Sequence, residues 1–244
     1  MVCCQINAHV TESDTLGDVF SQEGYQLRLE WGPGGVDALR GCDVLIVVDV
    51  LAFTTSVDVV VGGGGRVRPF RFGPGSRASL RPASLVGATG LVDLHSPNGS
   101  HLCALAAETG AHVLAACLRN AAAVAKRAQE LGETIGLIPG GEQWGFNMAR
   151  TGGDVASGLR PCVEDHLGAG AVLASLDGTA SPEAELAIAA FRGVDVAQAV
   201  RDCGSGRELV EHGHAADVEL AVQLGASEAA PMLVDGLFVD GAVR

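Results

Sequence analysis

The feature that most constrains the fold is an apolar run at Val44–Val50, in which Asp49 is the one polar residue. A strand that is buried on both faces of a parallel sheet has this pattern, because helices cover both sides of such a sheet. A helix predicted at 54–61 and a strand predicted at 66–70 follow it, an order that indicates a β-α-β unit. The run therefore predicts an α/β protein.

The rest of the chain continues with alternating strands and helices, and its last third is largely helical. Further strands are predicted at 91–94, 112–117, 134–139, 231–234 and 237–239. Helices are predicted at 100–109, 121–131, 161–176, 182–191, 195–202, 205–211 and 215–224. Asp235-Gly236 predicts a two-residue hairpin turn. We expect one domain over 1–244, with a crossover between two possible sub-sheets near 73–88.

Composition and charge exclude several classes of protein. Hydrophobic residues make up 48% of the 244 residues and charged residues 18%, a balance that argues against disorder. The net charge of −13 disfavours nucleic-acid binding, which needs a basic face. No apolar stretch is long enough to span a membrane, residues 1–11 lack a signal-peptide pattern, and the scattered cysteines indicate reduced thiols. We therefore expect a cytoplasmic protein with no nucleic-acid or membrane partner.

Polar residues follow four of the predicted strands. Ligands of open α/β sheets bind beyond the carboxyl ends of the strands, so these residues predict a site. They are Asp49, Thr54, Thr55, Asp93, His95, Asn98, Gly99, Ser100, Arg119, Asn120 and Glu142. A structural alternative stays open for several of them, since Asp49, Asn98 and Asn120 stand where helix N-caps belong and Gly99 suits a tight turn.

Two adjacent acids, Glu164 and Asp165, enter an otherwise apolar helix. Carboxylates are favoured in the first turn of a helix by its dipole, so a structural role and a role in metal binding or water activation are both open. The histidines lack zinc-ligand spacing, and the chain has neither a P-loop nor a GxSxG motif. Carboxylates are the ligands that Mg²⁺ prefers.

Short motifs occur in a fixed order from about Val44 to Val239. They are 48–55 (VDVLAFTT), 96–100 (SPNGS), 117–121 (CLRNA), 141–142 (GE), 163–170 (VEDHLGAG), 205–209 (SGREL), Asp217 and Pro231. In this order they resemble the magnesium-dependent 2-phosphosulfolactate phosphatases of coenzyme M biosynthesis. The resemblance implies a three-layer α/β fold with a mostly parallel sheet. It also implies hydrolysis of a phosphate ester on a small sulfonated or carboxylated acid.

The strand-end residues and the resemblance together give a hypothesis for the site. Mg²⁺, or Mn²⁺ in its place, is expected at Asp49, Glu142, Glu164 and Asp165, and catalysis is assigned to Asp49, Glu164 and Asp165. The small phosphorylated acid is expected at Thr54, Thr55, Asn98, Gly99, Ser100, Arg119, Asn120 and Arg207. Direct attack by water and a phospho-aspartyl intermediate on Asp49 are both open.

The chain departs from the family pattern at positions where similar sequences carry positive charge. Ala52 and Gln143 stand where arginine is common, the segment 71–90 lacks a Gly-Glu-Arg motif, and 146–157 has the character of an insertion. Two alternatives follow from these departures: a non-catalytic protein that binds a small anion on the same scaffold, and a phosphatase for a different hydroxy-acid phosphate. A homodimer is one possible assembly.

Overall fold

The computed structural model of the protein describes residues 17–70, 80–144 and 158–241. Its strands are β1 (Leu27–Leu29), β2 (Val44–Val48), β3 (Arg66–Phe70), β4 (Leu91–His95), β5 (His112–Ala116), β6 (Ile135–Pro139), β7 (Glu142–Gln143), β8 (Leu159–Arg160), β9 (Pro231–Val234) and β10 (Leu237–Asp240). Its helices are α1 (Gly17–Phe20), α2 (Gly32–Ala38), α3 (Phe53–Gly62), α4 (Gly99–Ala107), α5 (Ala121–Leu131), α6 (Val163–Leu173), α7 (Pro182–Gly193), α8 (Val196–Asp202), α9 (Gly204–Glu211) and α10 (Ala215–Ala221). A 3₁₀ helix covers Pro82–Leu85.

Eight of these strands form one sheet in the order β1-β6-β2-β5-β9-β10-β3-β4. The pairs β1–β6, β6–β2, β2–β5 and β3–β4 are parallel, and the pairs β5–β9, β9–β10 and β10–β3 are antiparallel. The predicted three-layer α/β fold with a mostly parallel sheet is confirmed. The described strands join one main sheet rather than two sub-sheets, and 73–79 of the predicted crossover lie outside the described residues. Strands β7 and β8 pair separately as an antiparallel ribbon.

Strand β2 lies inside this sheet and has both faces covered, which explains its apolar sequence. All five of its residues are buried. Val44, Ile46 and Val48 pack into a cluster with residues of α5, α6 and α7, whereas Leu45 and Val47 pack with residues of α3 and α4 on the other face. Successive side chains of a strand point to opposite faces, so one strand contributes to both cores and both must be apolar.

Most predicted elements are present with ends that differ by a few residues; α6, for example, covers Val163–Leu173 instead of 161–176. The elements that the sequence did not predict are short. Strand β1 has three residues, β7 and β8 have two each, and α2 reads GPGGVDA. Runs this short carry no measurable period, and glycine is a poor helix former. These elements depend on tertiary contacts.

The predicted β-α-β unit of β2, α3 and β3 is wrong. In the sheet, β5, β9 and β10 lie between β2 and β3, and three successive antiparallel pairings reverse the direction of β3 relative to β2. The parallel crossover is instead β5-α5-β6, whose two strands flank β2. The hairpin β9–β10 comes from the far end of the sequence, so no local pattern around α3 could reveal it.

The turn after β4 contacts the end of β2, although five strand-to-strand steps separate the two strands in the sheet. At this contact Oγ of Ser96 donates a hydrogen bond to Asp49 over 3.3 Å.

The last third of the chain is largely helical, as predicted, and ends in the predicted hairpin. Asp235 and Gly236 connect β9 to β10 with φ angles of 49° and 78°, and Val234 pairs with Leu237 across the turn. Two positive φ angles are what a type I′ hairpin requires. A search of the described residues for a helix that is long and apolar enough to cross a membrane found none.

Candidate active site

The turn after β2 fixes Asp49 through its main chain. Thr54 Oγ1 accepts a hydrogen bond from the Asp49 N–H over 3.1 Å and donates one to the Asp49 carbonyl over 2.8 Å. Thr55 Oγ1 donates to the carbonyl of Val50 over 2.7 Å. These threonines are fully buried, and the peptide bond between Leu51 and Ala52 in the same turn is cis. The two hydroxyls therefore hold the turn that presents Asp49.

The turn after β4 holds the carboxylate of Asp49 from the other side. Oδ2 accepts hydrogen bonds from the Gly99 N–H over 2.9 Å and from Ser96 Oγ over 3.3 Å, and Oδ1 accepts the Phe53 N–H over 3.4 Å. A Cβ on Gly99 would lie only 2.6 Å from Oδ2 of Asp49. The Asn-Gly-Ser turn thus needs glycine because the carboxylate lies directly against its backbone.

Asp165 links three parts of the fold. Its Oδ1 accepts the Val50 N–H and its Oδ2 accepts the Gly141 N–H, each over 2.8 Å. Helix α6 can approach β2 this closely because a Cβ on Gly168 would lie 2.7 Å from a methyl group of Val50. The glycine in the helix therefore allows Asp165 to reach the end of β2, where it binds the N–H of Val50, the residue after Asp49.

Two further acids lie at this edge of the sheet. Oε1 of Glu142 accepts a hydrogen bond from Nδ2 of Asn98 over 2.9 Å, so the Asn98 side chain orients Glu142 rather than capping α4, for which no side-chain hydrogen bond is present. Oε2 of Glu164 accepts a hydrogen bond from the thiol of Cys203 over 3.3 Å. Each carboxylate is oriented by a polar side chain from a different element.

All four acids line one cavity of about 220 Å³. The other polar side chains of its wall are Ser96, Asn98, Arg160, Cys162, Ser205 and Glu208. Most of the remaining wall consists of apolar residues: Leu51, Ala52, Leu80, Pro97 and Leu209. Five carboxylates and a single guanidinium among the lining residues give the cavity a strongly negative character.

This negative charge perturbs the buried acids. Burial raises the pKa of Asp49 to about 6, with a further increase from the negative charge of Glu142. Burial also raises the pKa of Asp165 well above its ordinary value, and the charges of Glu164 and Asp49 add to the increase. Carboxylates that destabilise each other in this way favour either proton uptake or a bound cation.

The donor set fits Mg²⁺ in kind, because carboxylate oxygens that form no salt bridge among the described residues suit a hard cation. In the described part of the chain, however, no three His, Cys, Asp or Glu side chains are already placed so that they could hold a metal ion. Both oxygens of Asp49 and of Asp165 accept backbone N–H groups. Binding of a cation would therefore require local movement of the side chains.

The sequence model of the 2-phosphosulpholactate phosphatase family matches residues 84–236, which is more than half of the chain. The chain belongs to the 2-phosphosulpholactate phosphatase family. This family consists of phosphatases, so the predicted enzyme class, a phosphoric monoester hydrolase, is confirmed. A search of curated proteins found no match.

The family match covers part of the candidate site. The matched residues include Asn98, Glu142, Arg160, Glu164 and Asp165. Asp49 lies before the matched region. The structure joins Asp49 to this matched region through its contacts with Ser96 and Gly99. The cavity of this 2-phosphosulpholactate phosphatase family member is thus built from both parts of the chain.

Several residues predicted to bind substrate do not line this cavity. Thr54 and Thr55 bond the main chain of their own turn, Ser100 donates to the carbonyl of Phe70, and Asn120 accepts the Cys117 N–H over 2.8 Å. All four side chains are buried. Their hydroxyl and amide groups stabilise the turns around the site, because main-chain groups in these turns have few partners within helices or strands.

The two arginines predicted to bind the anion are also elsewhere. Nε of Arg119 forms an ion pair with Asp58 over 2.8 Å and lines a different pocket. Arg207 is an exposed residue of α9 that is not part of the cavity wall. The basic residue that does line the cavity is Arg160, which sequence reasoning missed. The signal available in the sequence was a basic residue four positions before Glu164.

Proposed function

We propose that the protein hydrolyses the phosphate monoester of a small sulfonated or carboxylated acid in a reaction that depends on Mg²⁺. The substrate we propose is (R)-2-phospho-3-sulfolactate or a close relative, with 3-sulfolactate and phosphate as products, the reaction of coenzyme M biosynthesis. The observation that carries the proposal is the single cavity lined by Asp49, Glu142, Glu164 and Asp165. Membership of the phosphatase family supports it.

The four acids are the groups that would hold Mg²⁺ in this proposal, with Mn²⁺ as a substitute. When bound, the ion would offset the charge of the phosphoryl oxygens and of the acids themselves. The chain supplies the positions: Asn98 orients Glu142, Cys203 orients Glu164, and Gly99 holds Asp49. The cavity volume of about 220 Å³ suits a small substrate.

Asp49 is the group that we place next to the phosphorus atom. It can act as the base that takes a proton from water, with Asp165 and Glu164 as its acidic neighbours, or as the nucleophile that forms a phospho-aspartyl intermediate. Hydrolysis of a substrate analogue with an isotopically chiral phosphorothioate group distinguishes the two routes. Direct attack by water inverts the configuration at phosphorus, whereas the covalent route, with two successive displacements, retains it.

The first test of the proposal is release of phosphate from 2-phospho-3-sulfolactate and from a panel of phosphorylated hydroxy acids. Activity is expected with Mg²⁺ or Mn²⁺ and is expected to disappear with EDTA. The control is Asp49→Asn, which keeps the size of the side chain. Turnover by the wild-type protein no higher than that of this variant on every ester would defeat the proposal.

Binding of the metal can be measured without substrate. Titration calorimetry with MgCl₂ is expected to give a saturable signal for the wild-type protein. The Glu164→Gln and Asp165→Asn variants are expected to weaken it, because each removes a carboxylate charge from the cavity. An unchanged signal in both variants would remove these acids from the proposed metal site.

A further inference from the structure

The ribbon of β7 and β8 places an acid and an arginine opposite each other. Glu142 pairs with Arg160 in this antiparallel ribbon, and both line the cavity. Side chains of directly opposed residues lie on the same face, about 5 Å apart at Cβ. Such a pair would normally form a salt bridge, but none is present between them in the described residues. The two side chains instead diverge.

The divergence takes them to different walls of the cavity. Glu142 accepts its hydrogen bond from Asn98, next to the start of α4. Arg160 donates from Nη2 to Oγ of Ser205 in α9, over 3.1 Å. A Cβ on Gly204 would lie 3.7 Å from Nη1 of Arg160, so the guanidinium lies along the first turn of α9. The ribbon therefore places Glu142 at one wall of the cavity and Arg160 at the other.

The position of Arg160 is unusual for a cation. The amino end of a helix carries partial positive charge and favours anions, yet the guanidinium lies against this end of α9. Glu164 approaches the same end through the thiol of Cys203, but within the described parts of the chain no carboxylate is at salt-bridge distance from Arg160. The positive charge of Arg160 is thus left available to a ligand.

The substrate of the proposed reaction carries three anionic groups: a phosphate and a carboxylate on one carbon, and a sulfonate on the next. In proteins Mg²⁺ is commonly bound by carboxylates together with substrate phosphates, so the phosphate belongs with the acids of the cavity. The carboxylate beside the phosphate then has to be neutralised by the chain itself. A guanidinium matches a carboxylate because it donates two parallel hydrogen bonds in one plane.

We infer that Arg160, held by Ser205, binds the carboxylate of the substrate and makes the enzyme selective for phosphate esters that carry a carboxylate beside the phosphate. This inference rests on the proposed function. It assigns Arg160 to the acid group and not to the phosphoryl group. Arg160 is a residue that determines specificity, and Ser205 is a residue that positions it.

The experiment compares two esters of which only one carries an acid group besides the phosphate. Phospholactate carries a carboxylate on the carbon that bears the phosphate, and isopropyl phosphate has a methyl group in its place. The variants are Arg160→Met, which removes the charge, and Arg160→Lys, which keeps the charge but not the planar pair of donors. Arg207→Met is the matched control, because Arg207 is an exposed arginine of α9 that does not line the cavity.

For Arg160→Met we expect kcat/KM on phospholactate to fall about 30- to 100-fold, mainly through KM, since a hydrogen-bonded charge pair is lost. On isopropyl phosphate we expect a change of less than about threefold, because that ester has no group for Arg160. Arg160→Lys should lie between the wild type and Arg160→Met on phospholactate. Arg207→Met should leave both esters unchanged.

An equal loss on both esters would show that Arg160 binds the phosphoryl group and would overturn the inference, as would no loss on either. Circular dichroism and the melting temperature check that each variant is folded. If Arg160→Met does not fold, the kcat/KM values of Arg160→Lys on the two esters are compared instead. A wild-type protein that turns over neither ester would count against the proposed function alone. Calorimetric binding of 3-sulfolactate then tests the inference: a Kd for Arg160→Met equal to that of the wild type would overturn it.

Discussion

Two buried carboxylates near helix α3 have opposite surroundings. Asp58, inside the helix, has Nε of Arg119 2.8 Å from its Oδ2. Burial raises the pKa of Asp58, and Ser227 and Arg119 oppose that rise. Asp49, four residues before the helix, accepts hydrogen bonds from N–H and O–H groups. The charges that act on it are those of other acids, Glu142 and Asp165.

From this difference we infer that Asp58 is a structural acid and Asp49 a functional one. A buried carboxylate with its own arginine is already neutralised, and it holds the segment around Arg119 against α3. A group of buried carboxylates without basic partners destabilises the empty fold and is retained where a cation or a substrate compensates it. The contrast predicts that changes at Asp49 affect activity and that changes at the Asp58–Arg119 pair affect stability.

The largest effect is expected for Asp49→Asn. We expect kcat to fall at least about 1,000-fold, because stabilisation of the phosphoryl group worth several kcal/mol is removed. The free energy of unfolding should change by only about 1 kcal/mol, since loss of a hydrogen bond and relief of charge repulsion oppose each other. Phosphate release and urea unfolding measure the two quantities. A variant that unfolds readily but keeps its kcat would reverse the comparison.

The second effect is on stability and concerns Arg119→Met. We expect the free energy of unfolding to fall by about 3 kcal/mol, because Asp58 is left charged and buried without a partner. Urea unfolding checks this, and the folded fraction should keep its kcat. The double variant Asp58→Asn/Arg119→Met should recover much of the loss, and a double variant as unstable as Arg119→Met would argue against a charge effect.

The third effect concerns pH in the absence of divalent cations. Burial raises the folded-state pKa of Asp49 to about 6 and raises that of Asp165 well above its ordinary value. The folded protein therefore binds more protons than the unfolded chain above about pH 4, and its stability falls as the pH rises from there through about 6. In EDTA, the melting temperature should decrease from pH 5 to pH 8.

The Asp49→Asn/Asp165→Asn variant is the control for this pH dependence. Its melting temperature should change less between pH 5 and pH 8 than that of the wild type, because the two titrating groups are absent. Added Mg²⁺ should raise the melting temperature of the wild type most at the high end of this range. Parallel curves for the two proteins would mean that these acids do not cause the pH dependence.

The smallest effect is expected at Cys203, whose thiol donates to Glu164 and accepts the N–H of Gly206 at the start of α9. We expect Cys203→Ala to lower kcat by about three- to tenfold, because one hydrogen bond orienting Glu164 is lost. The lost cap should cost about 1 kcal/mol of stability. Cys203→Ser keeps a donor and should stay within about twofold of the wild type in kcat. Equal losses in both variants would point to packing instead.

Much of the candidate site was predictable because its acidic residues occur next to strong local patterns. Asp49 ends the most apolar strand, and Glu164 and Asp165 begin a helix that is otherwise apolar. The amides and arginines were harder to assign. Asn120 and Arg119 occupy a strand end as well, but their partners, Cys117 and Asp58, satisfy them inside the fold. A residue type at a strand end does not reveal whether its hydrogen bonds are already made.

Apolar periodicity and ordered motifs are local properties, so the α/β class, the position of most helices and strands, and the family could be predicted from the sequence. Three outcomes required the folded structure: β9 and β10 separate β3 from β5, the turn after β4 contacts Asp49, and Arg160 rather than Arg119 or Arg207 lines the cavity. Each of these outcomes depends on contacts between segments that are far apart in the chain. Hydrogen bonds and ion pairs of this kind form only when the whole sheet is assembled.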